Sequence, residues 1–327
     1  MLYIPNACHD PHYNLALEEY VLKRLSPQET YVLLWQNEPS VIVGRFQNTP
    51  AEINHDFIKS RGIHVVRRMT GGGAVYHDLG NLNFTFIANK QNAQLDFRRF
   101  TEPVVQALAQ MGVTAELSGR NDLTIEGKKF SGNAQYHDKN RTMHHGTLLF
   151  AANLDDVQAA LRVKEEKFVS KGVKSVRSRI TNISEHLPQS FSLEEFRENL
   201  LVHLFQGEPV RKYHLSSEEV AEIKDLRDKK YHTWDWNYGQ SPRFNLQKSG
   251  RFLCGGIEVC IQVETGIIRG CKIYGDFFSN EDIENLEQRI VGLRYEEAIL
   301  SEVLQQESVE RYFGQVSTEE VLELFFA

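Results

Sequence analysis

Apolar positions along the chain alternate between a helical and a strand period. In "NLALEEYVLKRL", Asn14 to Leu25, residues Leu15, Ala16, Tyr20 and Leu25 fall near helical spacing, with Asn14 placed to cap the first turn. Tyr31 to Trp35 and Val41 to Val43 are short β-rich runs separated by Asn-Glu-Pro-Ser, which predicts two strands and a turn. "IHVVRRMT" predicts a strand running into three consecutive glycines, and "LNFTFIA" a strand leaving them, so the triple glycine is expected to join two strands. A helix follows over Asp96 to Gly112, with Gly112 as its cap residue. Strand character on both sides of Glu126-Gly127 predicts a hairpin, and "MHHGTLLF" adds another strand. Helices are expected around Leu154 to Arg162 and Leu193 to Phe205.

Aromatic residues, Gly and Pro cluster at Trp234 to Asn245, and the pattern then changes. Beyond it come two strands about Thr265-Gly266 and helices in "EDIENLEQRI" and "EEAILSEVLQQ". Strands mixed with helices in no regular βαβ order predict an α+β fold with a mixed, largely antiparallel sheet. The expected division is a large unit over residues 1–245 and a small α+β unit over 246–327.

Composition narrows the function more than the fold. A net charge of −7 argues against a general nucleic-acid binder, which needs a basic surface. The start, "MLYIPNACHD", lacks a secretory pattern, and no apolar run approaches membrane-spanning length, so a cytoplasmic protein is expected. The four cysteines have no zinc-ligand spacing and are expected to be reduced, mostly buried thiols.

Two stretches carry candidate chemistry. In "RRMTGGGAVYHDLGN", Arg67 to Asn81, glycines let backbone N–H groups approach an anion and arginines add fixed charge, yet neither a Walker nor a dinucleotide loop is present. His77 either orients a ligand, acts as a base, or is a structural histidine bonded to Asp78. In "GRNDLTIEGKKFSGNAQYH", Gly119 to His137, a carboxylate and an ammonium group can meet across a short hairpin, although Lys128 and Lys129 also read as solvated turn residues. Trp35 is a candidate wall for an apolar pocket. The basic run at Lys167, Lys171, Lys174, Arg177 and Arg179 either closes over a ligand or is a solvated face.

Those two stretches, with "HHGTLLF", "SVRSRITNI", "NLALEEY" and "WNYGQSPRF" in this order, resemble the lipoate-protein ligase family over essentially the whole chain. The resemblance implies a catalytic domain of the biotin ligase and class II tRNA synthetase type with a C-terminal accessory domain. It implies that lipoate and Mg-ATP form lipoyl-AMP with release of pyrophosphate. The acyl group then passes to one lysine of a lipoyl carrier domain, on a 2-oxoacid dehydrogenase E2 subunit or the glycine cleavage H protein. Lys129 matches the family's catalytic lysine. The nucleotide and adenylate would be held by Arg68, Gly73, Ala74, Val75, Tyr76, Asn121, Asp122, Lys129 and Ala134. Lipoate would lie against Trp35, Arg68, Thr70, Gly71, Gly72, Gly73, Lys129, His145 and Gly146. Asp122 would hold Mg²⁺, and the protein is expected to act as a monomer. Thr70 stands where the family commonly has Ser, which keeps the hydroxyl.

The competing readings are a biotin ligase, whose Gly-Arg-Gly-Arg-x-Gly loop is absent, an octanoyl or lipoyl transferase working through a cysteine without ATP, and a non-catalytic lipoate-binding paralogue.

Overall fold

The computed structural model describes residues 1–90, 95–161, 179–238 and 246–326. Its strands are β1 (Leu2–Ile4), β2 (Tyr31–Trp35), β3 (Ser40–Val43), β4 (His64–Arg67), β5 (Val75–His77), β6 (Asn81–Asn89), β7 (Glu116–Ser118), β8 (Asp122–Ile125), β9 (Lys128–Asp138), β10 (Arg141–Leu149), β11 (Leu246–Phe252), β12 (Gly255–Glu264) and β13 (Ile267–Gly275). Seven of them form one sheet in the order β1-β2-β6-β10-β9-β8-β7. It is antiparallel except for the β1–β2 pair. A second sheet runs β4-β3-β5, and a third, β11-β12-β13, is wholly antiparallel. This is the α+β architecture expected, with a separate C-terminal sheet.

Both faces of the large sheet are covered, so the apolar run of β2 is buried at every position. In β2, Val32 and Leu34 join a core with helices Arg98–Gln110 and Leu193–Leu204, while Tyr31, Leu33 and Trp35 face helix α1 (Pro11–Arg24). The C-terminal sheet has its own core under helices Ile283–Ile290 and Glu297–Glu307.

The Glu126-Gly127 hairpin forms as expected, with both residues at positive φ (51° and 73°), as do the turn at Thr265-Gly266 and the cap at Gly112. Three expectations change. Helix α1 starts at Pro11, not Asn14, because Asp10 is its cap, accepting from the His12 N–H at 2.9 Å. Asn14 lies inside the helix, its amide buried on the Cys8 and Gln36 carbonyls and on Asn37. The glycines join β4 not to "LNFTFIA" but to β5, three residues too short for a periodic signal. Strand β11 was not anticipated, since its half-exposed "LQKSGRF" carries little apolar alternation. Of the basic run, Lys167, Lys171, Lys174 and Arg177 lie outside the described residues; Arg179 is exposed.

Candidate active site

A cleft of about 600 Å³ opens between α1, the glycine loop and the centre of the large sheet. Strand alternation decides which side chains reach it. On β10, Met143 and His145 turn toward α1, whereas His144 turns away and stacks on Phe84 and Phe100. On β6, Asn83 and Thr85 share the α1 side, and Phe84 and Phe86 sit in the opposite core.

Of the residues singled out from sequence, Trp35, Arg68, Gly72, Gly73, Ala74 and Val75 line the cleft, together with Asn121, Lys129, Ala134, His145 and Gly146. The structure therefore brings the glycine loop and the hairpin to one cleft. Asp122, Thr70, Gly71 and Tyr76 are not on the wall. Tyr76 points into the small core with Val41, Val43 and Ala160, where burial raises its phenol to about 12. His77, Leu15, Ile42, Asn83, Gly132, Asn133 and Thr147 complete the wall.

The hairpin supplies a half-exposed charge. Lys129 Nζ stands 2.8 Å from Asp122 Oδ1, with both side chains more than a third exposed. The predicted meeting of carboxylate and ammonium is thus present, and Lys129 is at the cleft while Lys128 is exposed. An exposed pair of this kind contributes little stability, so the lysine can exchange Asp122 for another anion at small cost.

Arg68 is built differently. Its guanidinium is buried and donates to Thr70 Oγ1 (2.8 Å) and to the carbonyls of Ile42 (3.0 Å), Gly71 (2.7 Å) and Gly73 (2.8 Å). Burial lowers it to about 10, which still leaves it cationic at neutral pH. It shapes the glycine loop from within and presents the cleft with a fixed positive field. Arg67 plays a similar part nearby, donating to the carbonyls of Gly44, Arg45 and Gln47.

A buried polar chain supports the wall. Trp35 Nε1 donates to Thr85 Oγ1 (2.9 Å), and Thr85 donates to Glu18 Oε1 (2.5 Å). Glu18 pairs with His145 Nδ1 at 2.9 Å, and His145 Nε2 meets Thr70 Oγ1 at 2.8 Å. Because Thr70 accepts from Arg68, the chain ties α1 to the glycine loop. Thr70 and Glu18 thus act behind the wall. Glu18 lay unremarked in "NLALEEY", since a helical glutamate ordinarily reads as solvated.

His77 lines the cleft and is not bonded to Asp78, whose carboxylate accepts from the Gly80 and Asn153 N–H groups instead. Its Nδ1 meets Asn37 Nδ2 at 3.1 Å, and the Asn37 oxygen already accepts from Asn14. Nδ1 is therefore the acceptor, and the proton sits on Nε2, a buried atom with no hydrogen-bond partner among the described residues. Burial, then the charges of Arg68 and His145, lowers His77 to about 3. Burial likewise pushes His144 well down. Both stay neutral in the fold and take protons near pH 6.5 when unfolded. Their stabilising contribution is complete above pH 6.5 and is lost as the pH falls toward 3. For His77 the expected slope is about 1.4 kcal/mol per pH unit, so urea midpoints should fall steadily from pH 7 to pH 5. A flat profile there would contradict the burial of these rings.

The C-terminal sheet reaches the same loop. The Gly72 N–H donates to the Phe277 carbonyl at 3.3 Å, and a Cβ at Gly71 would collide with that carbonyl. Phe278 packs on Phe97 and Ala134 beside the cleft, under the Arg120 guanidinium. Cys254, Cys260 and Cys271 are buried, none of the four cysteines is in a disulfide among the described residues, and none lines the cleft.

The descriptions of two family models match: the lipoyl protein ligase A/B catalytic domain over residues 10–205, and the bacterial lipoate protein ligase C-terminus over 241–325. The chain belongs to the lipoate-protein ligase family and is a ligase. It is 47% identical over 331 residues to the lipoate-protein ligase LplJ of Bacillus subtilis, with 100% of each chain covered. Among solved structures, a bi-partite lipoate protein ligase from Thermoplasma acidophilum, described with its E2 lipoyl domain, is 31% identical with a TM-score of 0.65. That match covers 75% of this chain and 98% of the other. A lipoate-protein ligase A bound with ATP is 29% identical with a TM-score of 0.65, covering 73% and 98%. Among the described residues, no helix is long and apolar enough to cross a membrane.

Proposed function

We propose that this ligase activates lipoate with ATP and passes the lipoyl group to a lysine of lipoyl domains, those of 2-oxoacid dehydrogenase E2 subunits and the glycine cleavage H protein. The observation that carries this reading is Lys129, an ammonium held by an exchangeable partner at the cleft it shares with the Arg68-braced glycine loop. A lipoate oxygen attacks the α-phosphorus of ATP, the bond to the β-phosphate oxygen breaks, and pyrophosphate leaves. The carrier's ε-amine then attacks the acyl carbon, AMP leaves, and the amine gives up a proton. Two anions must approach in the first step, and Lys129 stabilises the charge between them. Trp35, Leu15 and Ile42 form the apolar wall for the lipoyl chain, with its carboxylate toward Lys129. Arg68, Gly73, Ala74, Val75, Asn121 and Ala134 border the adenylate, and Thr70, Gly71 and Tyr76 support that wall from behind.

Asp122, a half-exposed carboxylate 2.8 Å from Lys129, would hold magnesium, and the ion would supply charge neutralisation at the substrate phosphates. The ATP-bound relative and the relative described with its E2 lipoyl domain support this assignment of substrates. We place the division of the chain at 245/246, with the C-terminal unit clasping the glycine loop through Phe277, and the enzyme as a cytoplasmic monomer. Lipoate-driven exchange of pyrophosphate into ATP tests the reading, and Cys8→Ala should leave it intact. Acyl transfer without ATP, abolished by that substitution, would instead make the protein a cysteine transferase.

A further inference from the structure

Away from the cleft, the N-terminal end of α1 carries imidazoles and carboxylates that the ligase reaction does not use. Asp10, His12 and His232 each offer one ligand atom, and the three atoms lie within 4.8 Å of one another. None of these residues lines the cleft. Asp10 Oδ1 and His12 Nδ1 are 3.1 Å apart, near the edge of a tetrahedron built on metal–ligand bonds of about 2.0 Å. The His12 and His232 rings stand 4.3 Å apart, edge to face.

Two carboxylates and a guanidinium surround the imidazoles. His232 Nδ1 is 3.2 Å from Asp228 Oδ1, a carboxylate contact of the kind that orients a ligating histidine. Arg227 reaches both carboxylates, at 2.8 Å from Asp228 and 3.4 Å from Asp10. One guanidinium against two carboxylates leaves a net negative charge for a cation to balance. A further imidazole, His64, lies 5.4 Å from His12 and is itself held by Glu38 at 3.1 Å.

We propose that Asp10, His12 and His232 bind a divalent transition-metal ion of the zinc type. Two imidazoles and one carboxylate suit zinc, cobalt or nickel, whereas magnesium and calcium favour all-oxygen shells. The ion joins the start of α1 to the turn after residues Arg227–Tyr231, two segments that are far apart in sequence. Since α1 carries Leu15 to the cleft and Glu18 to His145, the ion clamps the helix that supports the lipoyl wall. It takes no part in acyl transfer.

The test uses the full chain without an affinity tag, stripped with chelator and titrated with zinc against a chromophoric competitor. About one equivalent should bind per chain, raising the melting temperature, with affinity falling at least roughly tenfold in His232→Ala and in His12→Ala. Cobalt should give visible bands that disappear in the same variants. His203→Ala, on another helix, should bind as wild type. His232 is exposed, so its removal leaves the metal-free melting temperature and lipoate-driven pyrophosphate exchange unchanged. Zinc binding that persists undiminished in both variants, or is absent from the wild type at about a hundred micromolar free zinc, overturns the proposal.

Discussion

Lys129→Ala is expected to slow lipoyl-adenylate formation roughly a hundredfold to a thousandfold, the loss typical of removing one preorganised group that stabilises developing charge. Lys128→Ala should change it less than about tenfold, because that side chain is exposed and off the cleft. The two lysines are adjacent on β9, and Lys129, not Lys128, lines the cleft. Arginine at 129 should rescue poorly, since a broad planar fork does not replace a compact charge between two anions. Pyrophosphate release from folded variants measures all three. Equal losses from both alanine variants would contradict the assignment of faces.

Arg68→Met is expected to lower stability as well as activity. It strands the carbonyls of Ile42, Gly71 and Gly73 in a buried site, a cost on the order of 3–5 kcal/mol. Urea unfolding should show the shift, and adenylate formation should fall with it because the glycine loop loses its brace. Loss of activity at unchanged stability would mean that Arg68 works only by direct contact with phosphate.

The motifs reveal which segments meet, but not what each side chain does there. Glycines and a lysine that can face an anion were legible because backbone freedom and charge are intrinsic to residue type. The inward duty of Arg67 and Arg68 was not, since a paired arginine in sequence carries no sign of the carbonyls awaiting it. Glu18 was hidden for the same reason: its partners Thr85 and His145 come from strands distant in the chain. The start of α1 was misplaced because Asn14 looks like a cap, while its real partners are backbone carbonyls reached only in the fold. Hairpin turns were read correctly, being decided by two residues at positive φ.

The most direct test of the central claim is mass spectrometry of the enzyme incubated with lipoate, ATP and magnesium in the absence of any carrier protein. The account predicts lipoyl-AMP, formed together with pyrophosphate and consumed when a lipoyl domain is added. A carrier that becomes lipoylated in the absence of ATP, with no adenylate detected at any time, would contradict it.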